Sequence, residues 1–151
     1  MDRPVVKPPM LLIVEPDPLL LTGISAILDK QGYRCFLSRD LSVARKATEK
    51  LAFDLFILSM GENVEEGEKM ARELRAANQT VDVPVIFLAP KLDPNWVGRL
   101  NAVGGVYCLP KPFDPNLLIQ LVDRAVWMPH LVHAHVAPPK AHFEHDWVRL
   151  N

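Results

Sequence analysis

The chain lacks the features of a membrane or secreted protein. No apolar run approaches membrane-spanning length, and the segment MDRPVVKPPM has no signal-peptide apolar core. Only two cysteines, Cys35 and Cys108, occur in 151 residues, and each lies inside an apolar run. We therefore expect both cysteines to be reduced core residues and the protein to be cytoplasmic, with no membrane partner.

Two further absences narrow the function. The formal net charge is −1 and no basic run occurs, which argues against a dedicated nucleic-acid binder, so no nucleic-acid partner is expected. No glycine-rich phosphate loop follows any apolar run, which argues against a nucleotide-binding enzyme of the Rossmann or P-loop type.

The sequence does contain a regular alternation of apolar runs and segments with helical spacing. The runs are continuous, as expected of parallel strands covered on both faces, and they are MLLIV (10–14), CFL (35–37), LFIL (55–58), VIFL (85–88) and VYCL (106–109). The first helical segment carries Leu20, Ile24, Ile27 and Leu28 on one stripe and is closed by Gly32. This order predicts an α/β sandwich with helices on both faces of a parallel sheet.

Three predicted helices begin with the same dipeptide, at Asp17-Pro18, Asp93-Pro94 and Asp114-Pro115. The aspartate is expected to accept a free backbone N–H as the N-cap, and proline suits the first helical position because it has no N–H to satisfy. The acidic run ENVEEGE (62–68) is expected to be a solvated loop and a helix start, with a metal site as the weaker alternative.

Four motifs, LLIVEPDPLL, FDLFILSMG, VPVIFLAP and CLPKPFD, together resemble the receiver domain of two-component response regulators over residues 10–127. The resemblance implies a flavodoxin-like (βα)5 three-layer sandwich with strand order 2-1-3-4-5. It also implies a cis peptide bond at Lys111-Pro112, and cysteines that lie on opposite edge strands. The expected organisation is a leader (1–9), a receiver-like domain (10–127) and a histidine-containing C-terminal tail (128–151).

Receivers accept a phosphoryl group on an aspartate that ends the third strand, beside a magnesium ion held by acidic residues. The resemblance places this degenerate phosphorylation pocket at six positions, namely Glu15, Pro16, Ser59, Ala89, Cys108 and Lys111. The phosphoacceptor position holds Ser59, and a direct metal-ligand position holds Pro16. A serine needs a positioned base to become a nucleophile, and Glu15 alone is a weak magnesium anchor.

The sequence therefore predicts a pseudo-receiver without enzymatic activity or cofactor, which signals by binding a protein partner and could form a homodimer. Lys111 is expected to pair with Glu15, although it could instead bind another anion. The alternative function is a sensor of an anion, a small ligand or a metal.

Two regions carry the candidate partner contacts. Trp96 is either core or an exposed anchor on the fourth helix, which belongs to the usual partner surface of receivers. In the tail, Phe143, Trp147 and Leu150 follow helical spacing. The tail is expected to fold back on its own domain or on a second subunit, or to dock on another protein. A zinc or nickel site is the weakest alternative, with ligands His133, His135, His142 and His145.

Overall fold

Strands and helices alternate along the chain, and the computed structural model describes residues 7–78, 82–127 and 147–150. The strands are β1 Met10–Val14, β2 Arg34–Ser38, β3 Leu55–Ser59, β4 Val85–Ala89, β5 Gly105–Pro110 and β6 Val148–Arg149. The helices are α1 Pro18–Lys30, α2 Leu41–Lys50, α3 Val64–Asn78, α4 Val97–Ala102 and α5 Pro115–Trp127, and a 3₁₀ turn over Pro94–Trp96 precedes α4. Within the described ranges, no helix is long and apolar enough to cross a bilayer.

The sheet order is β2-β1-β3-β4-β5-β6, and the first five strands are parallel. The predicted flavodoxin-like order 2-1-3-4-5 is therefore confirmed, as is the cis peptide bond between Lys111 and Pro112. All residues of β3 and β4 are buried, because helices cover both faces of the sheet. One core layer lies under α1 and α5, and the other lies under α2, α3 and α4.

The helix starts follow the predicted dipeptides. The side chain of Asp17 accepts the Leu19 N–H at 3.0 Å, and Asp114 accepts the Asn116 N–H at 2.9 Å. Asp93 caps the 3₁₀ turn in the same way, through the Asn95 N–H at 2.9 Å. Because these caps satisfy N–H groups that have no partner inside the helix, they fix where the loops at the carboxyl edge of the sheet end.

The sixth strand corrects two expectations. Residues 147–150 do fold back on their own domain, but they do so as a strand antiparallel to β5, so the helical spacing expected for Trp147 and Leu150 is wrong. Because β6 covers β5, Cys108 does not lie on an edge strand, whereas Cys35 lies on β2 at the opposite edge. Both cysteines are free thiols, and burial raises the pKa of Cys35 to about 11.

Two glycines in and after α1 give a matched test of backbone conformation. Neither Gly23 nor Gly32 has an atom within 4 Å of an added Cβ, but Gly32 has a φ of +91° whereas Gly23 lies inside the helix. Gly23→Ala should raise the free energy of unfolding by about 0.5–1 kcal/mol, because alanine loses less entropy in a helix. Gly32→Ala should lower it by about 1 kcal/mol, because the left-handed conformation strains an L residue. Denaturant unfolding measures both changes, and shifts of the same sign would contradict this account.

Candidate functional site

The carboxyl ends of the parallel strands bring three polar side chains together. Glu15 directly follows β1, Ser59 is the last residue of β3, and Lys111 directly follows β5. Because β1 and β3 are neighbours in register, Glu15 and Ser59 emerge side by side. The Lys111 N–H donates to the carbonyl of Ala89 at 2.8 Å, which fixes the start of the loop after β5 beside the end of β4.

The centre of the site is an ion pair between Lys111 and Glu15. The Lys111 Nζ lies 2.8 Å from Glu15 Oε2 and 3.1 Å from Glu15 Oε1, so one ammonium group contacts both carboxylate oxygens. The side chain of Glu15 is 2% exposed, whereas that of Lys111 is 27% exposed. The pairing expected from the sequence is confirmed, and it neutralises a carboxylate that has almost no contact with water.

Two further donors complete the environment of Glu15. The hydroxyl of Ser59 donates a short hydrogen bond to Glu15 Oε2, and the Asp17 N–H donates to Oε1 at 3.3 Å. Ser59 is 5% exposed, so its hydroxyl is held against the carboxylate rather than presented to solvent. In this group of side chains, one ammonium group balances the charge of one carboxylate, and both oxygens of Glu15 accept hydrogen bonds.

The other predicted pocket residues lie around this group. Pro16 is exposed at the rim, and Ala89 is fully buried at the end of β4. Cys108 is 2% exposed and points into the layer under α2, α3 and α4, where burial raises the pKa of its thiol to about 12. Its neighbour Tyr107 points into the opposite layer, as expected for successive residues of a strand. Ser59, Lys111 and Pro16 line a common cleft, and Cys108 does not.

A shallow cleft of about 360 Å³ opens above the ion pair. It is lined by Pro16, Ser59, Met60, Gly61, Glu62, Glu66, Pro90 and Lys111. The acidic run was expected to be a loop and a helix start, with a metal site as the weaker alternative, and the helix start is confirmed by Glu65 and Glu66 in the first turn of α3. That Glu62 and Glu66 line the cleft was not predicted. The available signal was that Glu62 lies in the loop after the central strand β3 and that Glu66 lies in the first turn of the helix that follows.

The donor set of this cleft does not fit the magnesium ion that the resemblance implies. Magnesium needs hard oxygen ligands in a nearly ideal octahedron, but Pro16 offers no side-chain donor and the Glu15 oxygens already accept from Lys111 and Ser59. Glu62 and Glu66 also line the cleft, but they belong to no described cluster of three metal-ligating side chains. Two other acids of the run, Glu65 and Glu68, pair with Arg99. Among the described residues, no group of three His, Cys, Asp or Glu side chains could hold a metal ion.

The candidate partner residues differ in where the structure places them. Trp96 is 7% exposed and packs in the core, with Lys91 Nζ 5.9 Å from its ring centroid, so the exposed-anchor interpretation is wrong. Trp147 packs edge-on against Tyr107, with ring centroids 5.6 Å apart. Phe143 lies outside the described residues, as do the weak metal candidates His133, His135, His142 and His145.

A family profile described as "Response regulator receiver domain" matches residues 11–123. The chain is 29% identical over 118 residues to "Probable transcriptional regulator ycf29" of Porphyra purpurea, covering 78% of this chain and 56% of the relative. It is 31% identical over 118 residues to "Protein PetR" of Rhodobacter capsulatus, covering 78% of this chain and 48% of the relative. The chain thus spans about half the length of the curated relatives it matches.

The chain is also similar to solved structures of receiver proteins. The chemotaxis protein CheY4 of Vibrio cholerae aligns with a TM-score of 0.70 and 25% identity, covering 78% of this chain and 98% of that one. The receiver domain of the sensor histidine kinase PA1611 of Pseudomonas aeruginosa aligns with a TM-score of 0.66 and 27% identity, covering 80% and 98%. The PA1611 structure is described as having a magnesium ion coordinated in its active site cleft.

The unequal exposure of the two partners predicts unequal effects when the ion pair is broken. Lys111→Met should lower the free energy of unfolding by about 3 kcal/mol, because it leaves the carboxylate of Glu15 buried without a counter-charge. Glu15→Gln should cost only about 1 kcal/mol, because the ammonium of Lys111 can turn to water. Denaturant unfolding measures the difference. Lys46→Met, at an exposed lysine, is the control and should change stability by less than about 0.5 kcal/mol. Equal losses at Glu15 and Lys111 would refute the asymmetry.

The donor set also predicts weak magnesium binding. Calorimetric titration of the full chain should give a dissociation constant of about 1 mM or weaker, because the ion would keep mostly water ligands. The double variant Pro16→Asp/Ser59→Asp supplies two new carboxylates, so it should bind magnesium at least about tenfold more tightly. Micromolar affinity in the natural chain would show that the pairing of Glu15 does not exclude the ion.

Proposed function

Because the chain belongs to the response regulator receiver domain family, we propose that it is a pseudo-receiver that signals without phosphorylation, by binding a protein partner. The observation that carries the proposal is the closed ion pair at the carboxyl ends of the strands. Lys111 and Ser59 both contact the carboxylate of Glu15, so the groups that would handle a phosphoryl transfer are already engaged with each other.

The chemistry of Ser59 supports this proposal. Ser59 ends β3, where the resemblance places the phosphoacceptor aspartate. An aspartate is already ionised at neutral pH, whereas a serine needs a general base to remove its proton. The acceptor of the Ser59 hydroxyl is Glu15, whose two carboxylate oxygens also accept hydrogen bonds from the Lys111 ammonium group.

The set of residues that would bind magnesium in a receiver is also incomplete. A magnesium ion would have to displace Lys111 from Glu15 and would find no second carboxylate at position 16. This contrasts with the PA1611 receiver domain, whose description names magnesium in the cleft. In receivers, a hydroxyl after the fourth strand and an aromatic residue in the fifth strand report phosphorylation. The resemblance places these two positions at Ala89 and Cys108, so neither reporting group is present.

The partner class follows from the family rather than from a bound molecule. One relative is named a probable transcriptional regulator, and the chain matches about half of its length, so the role of its remaining part is not transferred. A homodimer, the absence of a nucleic-acid partner and a cytoplasmic location stay predictions. The alternative function as an anion sensor has less support, because Glu15 occupies the ammonium group that would bind the anion.

The proposal predicts that the natural chain takes up no phosphoryl group. After incubation with acetyl phosphate and magnesium, the intact mass should be unchanged, whereas a receiver domain with an aspartate at the acceptor position should gain one phosphoryl group. Ser59→Asp alone should also fail, because it sets a second carboxylate against Glu15 without a metal to neutralise it. Pro16→Asp/Ser59→Asp should gain measurable labelling.

Peptide mapping locates any adduct. A stoichiometric phosphoryl group on Ser59 of the natural chain would overturn the proposal. Labelling of Ser59→Asp as strong as that of the double variant would show that Pro16 is not what prevents the chemistry.

A further inference from the structure

The outer edge of β5 is occupied by a short strand from the same chain. Val148 and Arg149 pair antiparallel with Cys108 and Tyr107, and the Leu150 N–H donates to the carbonyl of Val106 at 3.0 Å. Main-chain pairing of this kind does not depend on side-chain identity, so the same edge can accept other extended segments.

The side chains of residues 147–150 show what such a segment must look like. Val148 and Leu150 are 2% and 3% exposed and pack in the core layer that also contains Cys108. Trp147 lies on the opposite side and meets Tyr107 edge-on, with an angle of 83° between the rings. A segment that fits this edge therefore begins with an aromatic residue, as Trp147 does. Aliphatic residues follow at the first and third positions after it, and the residue between them is half-exposed.

Gly105 forms the floor beneath Leu150. A Cβ on Gly105 would lie 2.8 Å from Leu150 Cδ1 and 2.6 Å from the carbonyl oxygen of Leu100. The missing side chain leaves room for an aliphatic residue at the end of the groove, while also allowing the turn from α4 into β5. The β5 edge therefore contacts side chains on both faces of β6, with Gly105 against Leu150 on one face and Tyr107 against Trp147 on the other.

The occupant forms fewer main-chain pairs than the other strands, with two paired positions against four or five in each pairing among the first five strands. β6 contains two residues, whereas each of the first five strands contains five or six. Short segments at the edge of a sheet, which have few main-chain pairs, open locally at a lower free energy than the whole domain unfolds. The strand β6 is thus the element of the sheet that leaves most readily, and its departure exposes the main-chain groups of β5.

We propose that the edge of β5 is a strand-addition site for an extended segment of a partner protein, and that residues 147–150 are its tethered competitor. The partner segment carries the same order of side chains, aromatic then aliphatic at the first and third following positions, without charge at the buried positions. The proposal rests on the proposed function, because it names where the partner binds and what controls access. The fraction of molecules with β6 released sets the apparent affinity.

The test uses the full chain and a synthetic peptide of its own sequence HDWVRLN, residues 145–151. In Val148→Lys/Leu150→Lys, lysines replace two buried residues, which should release β6 and open the groove. The peptide should bind this variant at least about tenfold more tightly than the natural chain. Shifts of backbone amide resonances should be confined to β5 and its neighbours. Leu150→Ala, a milder variant, should show intermediate affinity if the double variant fails to fold.

Two controls separate the groove from general effects. Leu19→Lys/Val43→Lys adds the same charge at exposed aliphatic residues away from β5, and it should bind the peptide no better than the natural chain. A scrambled peptide should not bind any variant. Equal binding to the natural chain and the groove variants, or binding to neither, would overturn the proposal.

Oligomeric state gives a further outcome. A natural chain that is dimeric, and that becomes monomeric in Val148→Lys/Leu150→Lys, would also overturn the proposal, because the second copy would then be the occupant. These outcomes are independent of phosphorylation. A phosphoryl adduct on Ser59 would remove the proposed function and leave the peptide result intact, whereas a failed peptide titration would leave the mass-spectrometric result intact.

Discussion

A carboxylate with almost no access to water requires neighbours that neutralise it, and this requirement organises the site. Glu15 meets it through Lys111, Ser59 and the backbone of Asp17. Each of these donors comes from a different part of the fold, namely the loop after β5, the end of β3 and the start of α1. Moving the loop after β5 would leave the buried carboxylate without its counter-charge, and moving either of the other elements would remove a hydrogen-bond donor, so these contacts tie the carboxyl edge of the sheet into one arrangement.

The sequence was a good guide wherever local and tertiary preferences agree. Each of the first five strands contains one of the predicted apolar runs, the aspartate-proline dipeptides mark three starts, and parallel topology brings Glu15 and Lys111 to one edge. The strand order and the cis bond came from the resemblance rather than from the residues alone. Their agreement with the structure shows that the motifs identify the fold independently of which residues occupy the pocket.

The sequence-based expectations were wrong or left open for residues whose conformation or burial depends only on tertiary contacts. Trp147 and Leu150 are three residues apart, a spacing that suits a helix, and a two-residue strand is too short to show alternation. The unpaired edge of β5 selects the extended form, because its N–H and C=O groups need partners. Trp96 was ambiguous for a related reason. Its burial depends on how the 3₁₀ turn before α4 packs over the core, which a stripe of apolar residues does not reveal.

The neutral, fully bonded state of Glu15 has a consequence for how information passes through this domain. A ligand or modification can shift a conformational equilibrium only if it interacts differently with the two states. Under the proposed function, the ion pair offers no such difference to magnesium or to a phosphodonor, so an upstream enzyme would have no modified fraction of the domain to set. Under the proposed function, the quantity that a partner reads is the number of copies in the cell. Control then lies in synthesis and turnover of the protein rather than in the occupancy of its site.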